Sequence, residues 1–259
     1  MPDTLELVSA FGTDIYGLER LLRLVQSLTL LLACSPIAPN ALVLPMSSLP
    51  QLLSHLNLTR RTMRLFWFLG SFQDSYRVYT TTDGAWLDAL ASSAFGLFGA
   101  LESLTLLDLA EVPGMQLLGL SLAERLDAQA QALWLVALCA SISGNVSRIK
   151  ASRTGRGGPG TKDAEAEDDG ADKESRTEDE DQSVAGAEQS VVHPEAMVHQ
   201  RKQLVVKTLA DALDLVIPLT SLGWIQMHTG LVALAMLCST VLSVTVIWNR
   251  CRQQLQATS

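Results

Sequence analysis

The sequence predicts an all-α integral membrane protein: N-terminal amphipathic helices, a C-terminal transmembrane helix, and a disordered acidic linker that interrupts them. Three observations predict it. The net charge of −8 falls entirely between Ala151 and Glu195, where 13 acidic side chains meet 5 basic ones. The rest of the 259 residues balance their charges and have a mean hydropathy of about +0.6, a membrane-protein value. Their apolar runs are rich in Leu and Ala and too long for strands. The organisation follows: a helical region over 1–150 with one or two membrane-embedded helices, the linker over 151–195, and a C-terminal helix with a transmembrane segment over 196–259.

The first helical segment runs from Asp14 to Cys34 and stops before Pro36 and Pro39. At 100° per residue, Leu18, Leu21, Leu22, Val25, Leu28 and Leu32 share one face, and Glu19, Arg20, Arg23, Gln26 and Ser27 share the other. The second segment starts at Ser48-Leu49-Pro50, proline being favoured in a first turn where its missing N–H costs nothing. Leu49, Leu52, Leu53, Leu56, Met63 and Trp67 form its stripe. Arg60 falls inside that stripe, so its long stem must reach either a headgroup or a partner carboxylate. Arg60, Arg61, Arg64 and Arg77 beside Phe66, Trp67, Phe68, Tyr76 and Tyr79 give the basic and aromatic mixture of a membrane interface. An exposed arginine face on a soluble bundle is the plainer alternative.

The third segment, Ala85 to Leu107, carries only Asp88 and Glu102. Ser92, Gly96 and Ala100 recur every fourth residue in it, a small-residue row that admits a second helix. The fourth, Ser121 to Lys150, holds a 20-residue uncharged window at Ala128–Ser147 and a basic flank of Arg148, Lys150, Arg153 and Arg156. The linker, with Glu165-Ala166-Glu167-Asp168-Asp169 and Glu178-Asp179-Glu180-Asp181, is too poor in large apolar residues to offset its chain entropy. Helix resumes near Glu195. No charge appears from Leu215 to Trp248, and Thr229–Trp248 spans about 30 Å of helix, enough to cross a bilayer. Asp211 and Asp214 precede it; one is expected to pair with Lys207 or to top the apolar run.

Several classes are excluded. A nucleic-acid binder needs a basic footprint that this chain lacks. Cys34, Cys139, Cys238 and Cys251 form no C-x-x-C pair, so a disulfide framework or zinc site is not expected. The four histidines have no second ligand at metal spacing, and no phosphate loop or nucleophile elbow occurs. No catalytic or cofactor role is assigned, and the chain reads as a non-enzyme. Asp3, Glu6, Asp14 and Glu19 argue against a secretory or mitochondrial leader.

Three stretches carry a resemblance: Gly17-Leu18-Glu19-Arg20-Leu21-Leu22-Arg23-Leu24-Val25-Gln26; the basic block Arg60-Arg61-Thr62-Met63-Arg64-Leu65; and Leu204 to Trp248, with Lys207, Asp214-Leu215-Val216-Ile217-Pro218-Leu219, Leu222-Gly223-Trp224, Gly230, Ser239 and Ser243. In order and spacing the chain resembles the peroxin-11 family of peroxisomal membrane elongation and proliferation proteins. That resemblance implies a peroxisomal membrane protein that inserts amphipathic helices into one leaflet, self-associates, and helps recruit dynamin-type fission machinery. A pore for small metabolites is the alternative, with Gln129, Gln131 and Asn145 as its modest polar lining. An apolar face wedged about 5–10 Å into one leaflet expands that leaflet and favours curvature. Arg20, Arg23, Arg60, Arg61 and Arg64 are the expected headgroup contacts. Leu21, Leu22, Val25, Leu28 and Trp67 are the expected inserting residues, and Ser92, Gly96 and Ala100 the expected helix-association row. Spans at Ala85–Leu107 and Thr229–Trp248 would leave both chain ends on one side, and a third at Ala128–Ser147 would change that parity.

Overall fold

The computed structural model describes residues 4–34, 48–81, 85–110, 114–153 and 194–258. Among these residues every regular element is a helix: α1 Thr4–Thr13, α2 Ile15–Cys34, α3 Leu49–Met63, α4 Trp67–Thr81, α5 Trp86–Leu109, α6 Leu120–Arg153, α7 Pro194–Asp214, α8 Val216–Ser221 and α9 Thr229–Thr258. Three of them are long and apolar enough to cross a bilayer: Trp86–Leu109, Leu120–Ala151 and Thr229–Gln256. The uncharged window at Ala128–Ser147 is therefore the middle of a third such helix. Helix covers 151–153 and 194–195, which narrows the expected linker to 154–193, outside the described residues.

Two boundaries differ from the sequence reading. The chain is already helical from Thr4, and the bend between α1 and α2 falls at Asp14, whose Oδ1 accepts a hydrogen bond from the Tyr16 amide at 2.9 Å. Gly17 makes this corner possible, because a Cβ there would stand 2.3 Å from the Phe11 carbonyl oxygen. Gly17→Ala is expected to cost about 1–3 kcal/mol, read by thermal melting of the purified protein, because rigid backbone must shift. The second difference is a break inside the expected second helix. Arg64, Leu65 and Trp67 donate their amides to Arg61, Thr62 and Arg64, a tightened turn that separates α3 from α4.

The long helices pack up and down, and side-chain contacts fix each direction. Phe11 meets Trp248, Asp14 pairs with Arg250, and Cys34 lies against Gly230, so α2 runs antiparallel to α9 along its whole length. On α4, Ser75 bonds Ser93 at 2.6 Å, while Phe72 packs on Gly96 and Phe68 on Gly99, so α4 is antiparallel to α5. Arg148 reaches Asp88 at 2.6 Å while the Phe98 and Trp134 rings stack further along, so α5 is antiparallel to α6. Ser141 donates to Asp211, and Ile217 and Ser221 sit near Gln131 and Asp127, so α7–α8 is antiparallel to α6. Pro218 explains the α7–α8 break, since its ring offers no N–H and crowds the Asp214 carbonyl. Gly223, at φ 73°, then turns the chain into α9.

The start of α1 and the end of α9 therefore lie on one face of the bundle, called here the terminal face. The end of α4, the start of α5, the end of α6 and the start of α7 share it. Cys34, the start of α3, the α5–α6 turn and Gly223 lie on the opposite face. Asp108 organises that face: fully buried, it accepts the amides of Leu118 and Gly119 at 2.9 Å each. Asp108→Ala is expected to cost about 1–3 kcal/mol by leaving both donors unpaired, read by denaturant melting.

Candidate membrane-embedded ion-pair site

The chemistry of this protein is concentrated where α2, α3, α5, α6 and α7 meet. The helical period puts Glu19, Arg23 and Ser27 of α2 on one line, and that line faces inward: they are 2%, 3% and 0% exposed. The apolar line Leu18, Leu21, Val25, Leu28 and Leu32 faces outward and is exposed throughout. The helix is thus inside out by the rule for a soluble protein, with its charges in the core and its leucines outside.

Each inward charge has partners. Arg23 grips Asp214 with both terminal nitrogens, one of them 3.1 Å from Oδ2, and also reaches Ser239 Oγ at 3.4 Å. This bidentate fork is the strong form of an arginine–carboxylate pair. Arg60 donates to Glu19 Oε1 through Nε at 2.9 Å and Nη2 at 2.6 Å, and to Gln26 Oε1 at 2.5 Å. Of the two destinations open to Arg60 in the stripe, the structure shows the partner carboxylate. Glu102 takes Arg64 Nη2 at 2.7 Å and sits 3.6 Å from Arg61 Nε; Arg61 also lies 2.9 Å from Asp127, an ion pair without hydrogen-bond geometry. Arg20 approaches Glu19 at 3.5 Å, and its Nη1 is buried without a hydrogen-bond partner. Between these groups and the rings of Trp67, Phe98 and Trp134 lies a cavity of about 320 Å³.

Several expected sites are placed differently. The arginines nominated for headgroups, Arg20, Arg23, Arg60, Arg61 and Arg64, turn toward carboxylates inside the bundle; periodicity locates a charged face but not what lies opposite it. Leu21, Val25 and Leu28 face outward as an inserting face requires, Leu22 is half-buried, and Trp67 rests on Tyr16 with ring centroids 4.5 Å apart. Of Ser92, Gly96 and Ala100, Gly96 meets α4 through Phe72, while Ser92 lines the cavity. The row of α5 that meets α4 and the turn before it is Ala89, Ser93, Gly96, Gly99 and Ser103, a mixture of steps of three and four. Asp214 pairs with Arg23 at the head of the apolar run, the second of the two places expected for one of these carboxylates, and Asp211 accepts from Ser141. Gln131 and Asn145 are buried and Gln129 is exposed. All four cysteines are free, and no metal-ligating cluster occurs among the described residues.

Outward-facing leucines around a charged interior suit a protein whose solvent is a bilayer, and the comparison with known families says which one. The chain matches the sequence model of peroxisomal biogenesis factor 11 (PEX11) over residues 5–248. It belongs to the PEX11 family. No curated protein and no solved structure matches it. PEX11 membership makes it a peroxisomal membrane protein with a role in peroxisome biogenesis and proliferation, and the three apolar helices fit that setting. The matched span includes every ion-pair residue of this site. The glycine at the head of the resembling stretch, Gly17, is the one that lets α1 turn into α2.

Proposed function

We propose that this PEX11 protein elongates the peroxisomal membrane and promotes peroxisome division, engaging the bilayer through the leucine face of α2. The observation that carries this reading is the inverted amphipathicity of α2. Amphipathic helices bind bilayers in proportion to the apolar area they bury. Here that area is turned away from the protein with its charges already neutralised, so acyl chains can take it up without unfolding. Many copies held together displace lipid over a wide patch and impose their outline on the membrane. Self-association and recruitment of dynamin-type fission machinery complete the proposal.

The test is a Leu21→Gln, Val25→Gln, Leu28→Gln triple variant reconstituted into anionic vesicles. Wild type is expected to draw the vesicles into tubules. The triple variant is expected to lose most of that activity while its ion pairs preserve the melting temperature. Tubulation at the wild-type level by an inserted, folded triple variant would sink the proposal. A second reading, a path for small metabolites, draws on the cavity among the charged side chains; conductance in planar bilayers that Glu102→Gln alters would favour it.

A further inference from the structure

We propose that the chamber where Arg23, Arg60, Arg61 and Arg64 meet binds one phosphate dianion, free or as a monoester. The chamber measures about 200 Å³ and is a neighbour of the larger cavity beside Trp67. The first argument is charge. Four guanidinium groups line the chamber against two carboxylates, Glu102 and Asp127. Glu19 and Asp214 hold Arg60 and Arg23 from the side of the larger cavity and are not part of this wall. The wall therefore carries two more positive charges than negative ones. Phe98, Trp134, Ile217 and Met236 close it with apolar surface, which leaves that excess poorly screened. A phosphate monoester brings about 1.5 to 2 negative charges at neutral pH, where a carboxylate brings one.

Hydrogen bonding supplies the second argument. Arg23 Nε, Arg61 Nε, Arg61 Nη1 and Arg64 Nε are all buried without a hydrogen-bond partner. Buried donors left unmade are rare and costly, the more so when charged. The nearby carboxylates do not use them. Asp214 takes both terminal nitrogens of Arg23, Glu102 takes Nη2 of Arg64, and Asp127 meets Arg61 without hydrogen-bond geometry. Phosphate oxygens are acceptors that arginine forks match well. A tetrahedral anion presents them in several directions at once, which suits donors that arrive from α2 and from the end of α3. Asp127 Oδ1 is unpaired too, so Asp127 opposes an incoming anion.

Access supplies the third argument. A cavity of about 420 Å³ adjoins the chamber and shares Asn57, Arg61 and Asp127 with it. It extends to Leu109 and Ala110 at the end of α5. An anion arriving from there meets the Arg61–Asp127 pair first, and that pair is the one without a hydrogen bond. A soluble phosphate monoester and a phosphatidate headgroup present the same chemistry to these arginines. The site is independent of how the protein shapes its membrane: phosphate binding reads the chamber and tubulation reads remodelling, so either can fail alone.

The experiment is equilibrium dialysis of radiolabelled inorganic phosphate against the full-length protein in detergent, at constant ionic strength. Wild type is expected to bind one phosphate per chain. Arg61→Gln is expected to weaken binding about 10–100-fold, the loss of a charged hydrogen bond. Arg61→Lys keeps the charge without the fork and is expected to fall between the two. Asp127→Asn breaks the same ion pair but is expected to tighten binding several-fold, because it removes a repelling charge. A merely structural role of the pair would weaken binding in both variants alike. Arg148→Gln, whose pair with Asp88 lies outside the chamber, is expected to bind as wild type does. No saturable binding by folded wild type, or weakened binding by folded Asp127→Asn, would overturn the site. So would wild-type binding by folded Arg61→Gln; should that variant fail to fold, Arg61→Lys and Asp127→Asn still decide. Displacement of the label by glycerol 3-phosphate would support a soluble monoester, displacement only by micelles containing phosphatidate a lipid headgroup, and displacement by neither the free ion. Displacement by equimolar acetate would overturn the preference for phosphate.

Discussion

Arg23→Ala is expected to destabilise the protein by about 3–5 kcal/mol, because it strands the Asp214 carboxylate inside the bundle without its bidentate partner. Asp214→Ala should cost about as much, by leaving the guanidinium with only Ser239. The double replacement Arg23→Met, Asp214→Leu removes both charges and fills the space with apolar volume. It is expected to lie within about 1–2 kcal/mol of wild type, since a well-packed apolar pair often equals a buried ion pair. The cycle is read from denaturant melting of full-length protein in one detergent, with the coupling energy as the result. If the two single losses simply add in the double variant, the pair is not a unit. A screened surface bridge contributes about 1 kcal/mol or less, so single losses of that size would mean Arg23 is solvated rather than buried.

Glu102→Ala carries the second large effect. This carboxylate serves Arg64 directly and Arg61 at longer range, and it is almost fully buried. Removing it leaves Arg64 with the face of Phe98, 6.0 Å away, and Arg61 with Asp127. The expected loss is about 3 kcal/mol, since an uncompensated guanidinium then stays buried between α3, α5 and α6. Glu102→Gln keeps one acceptor in place and is expected to lose roughly half as much. The same melting experiment checks both, and equal losses would mean that the carboxylate's charge contributes nothing beyond its hydrogen bond.

Much of the helical inventory could be read from residue pattern. The third and fourth segments came within a few residues of α5 and α6, and Thr229 is where α9 starts, because long Leu- and Ala-rich runs leave no competing structure. The inward arc of α2 was also legible as a face. Its role was not. A charged face beside a leucine face looks the same in sequence whether the charges meet headgroups or a buried carboxylate, and the partner of Arg23 lies 191 residues away in the chain. The α4-facing row of α5 was missed for a related reason: a strict four-residue spacing found Gly96 but not Ser93 or Gly99, which only the crossing of the two helices selects.

The sequence by itself determined that the chain is helical and membrane-bound, that its net negative charge is confined to one stretch, and that it belongs with the PEX11 proteins. Those properties are sums or periods over neighbouring residues, and neighbours are what a sequence orders. Tertiary structure decided which face of α2 turns inward and which arginine holds which carboxylate. Each of these depends on groups brought together from distant parts of the chain, and buried charge enforces the result, because an unpaired guanidinium or carboxylate costs several kcal/mol inside the bundle.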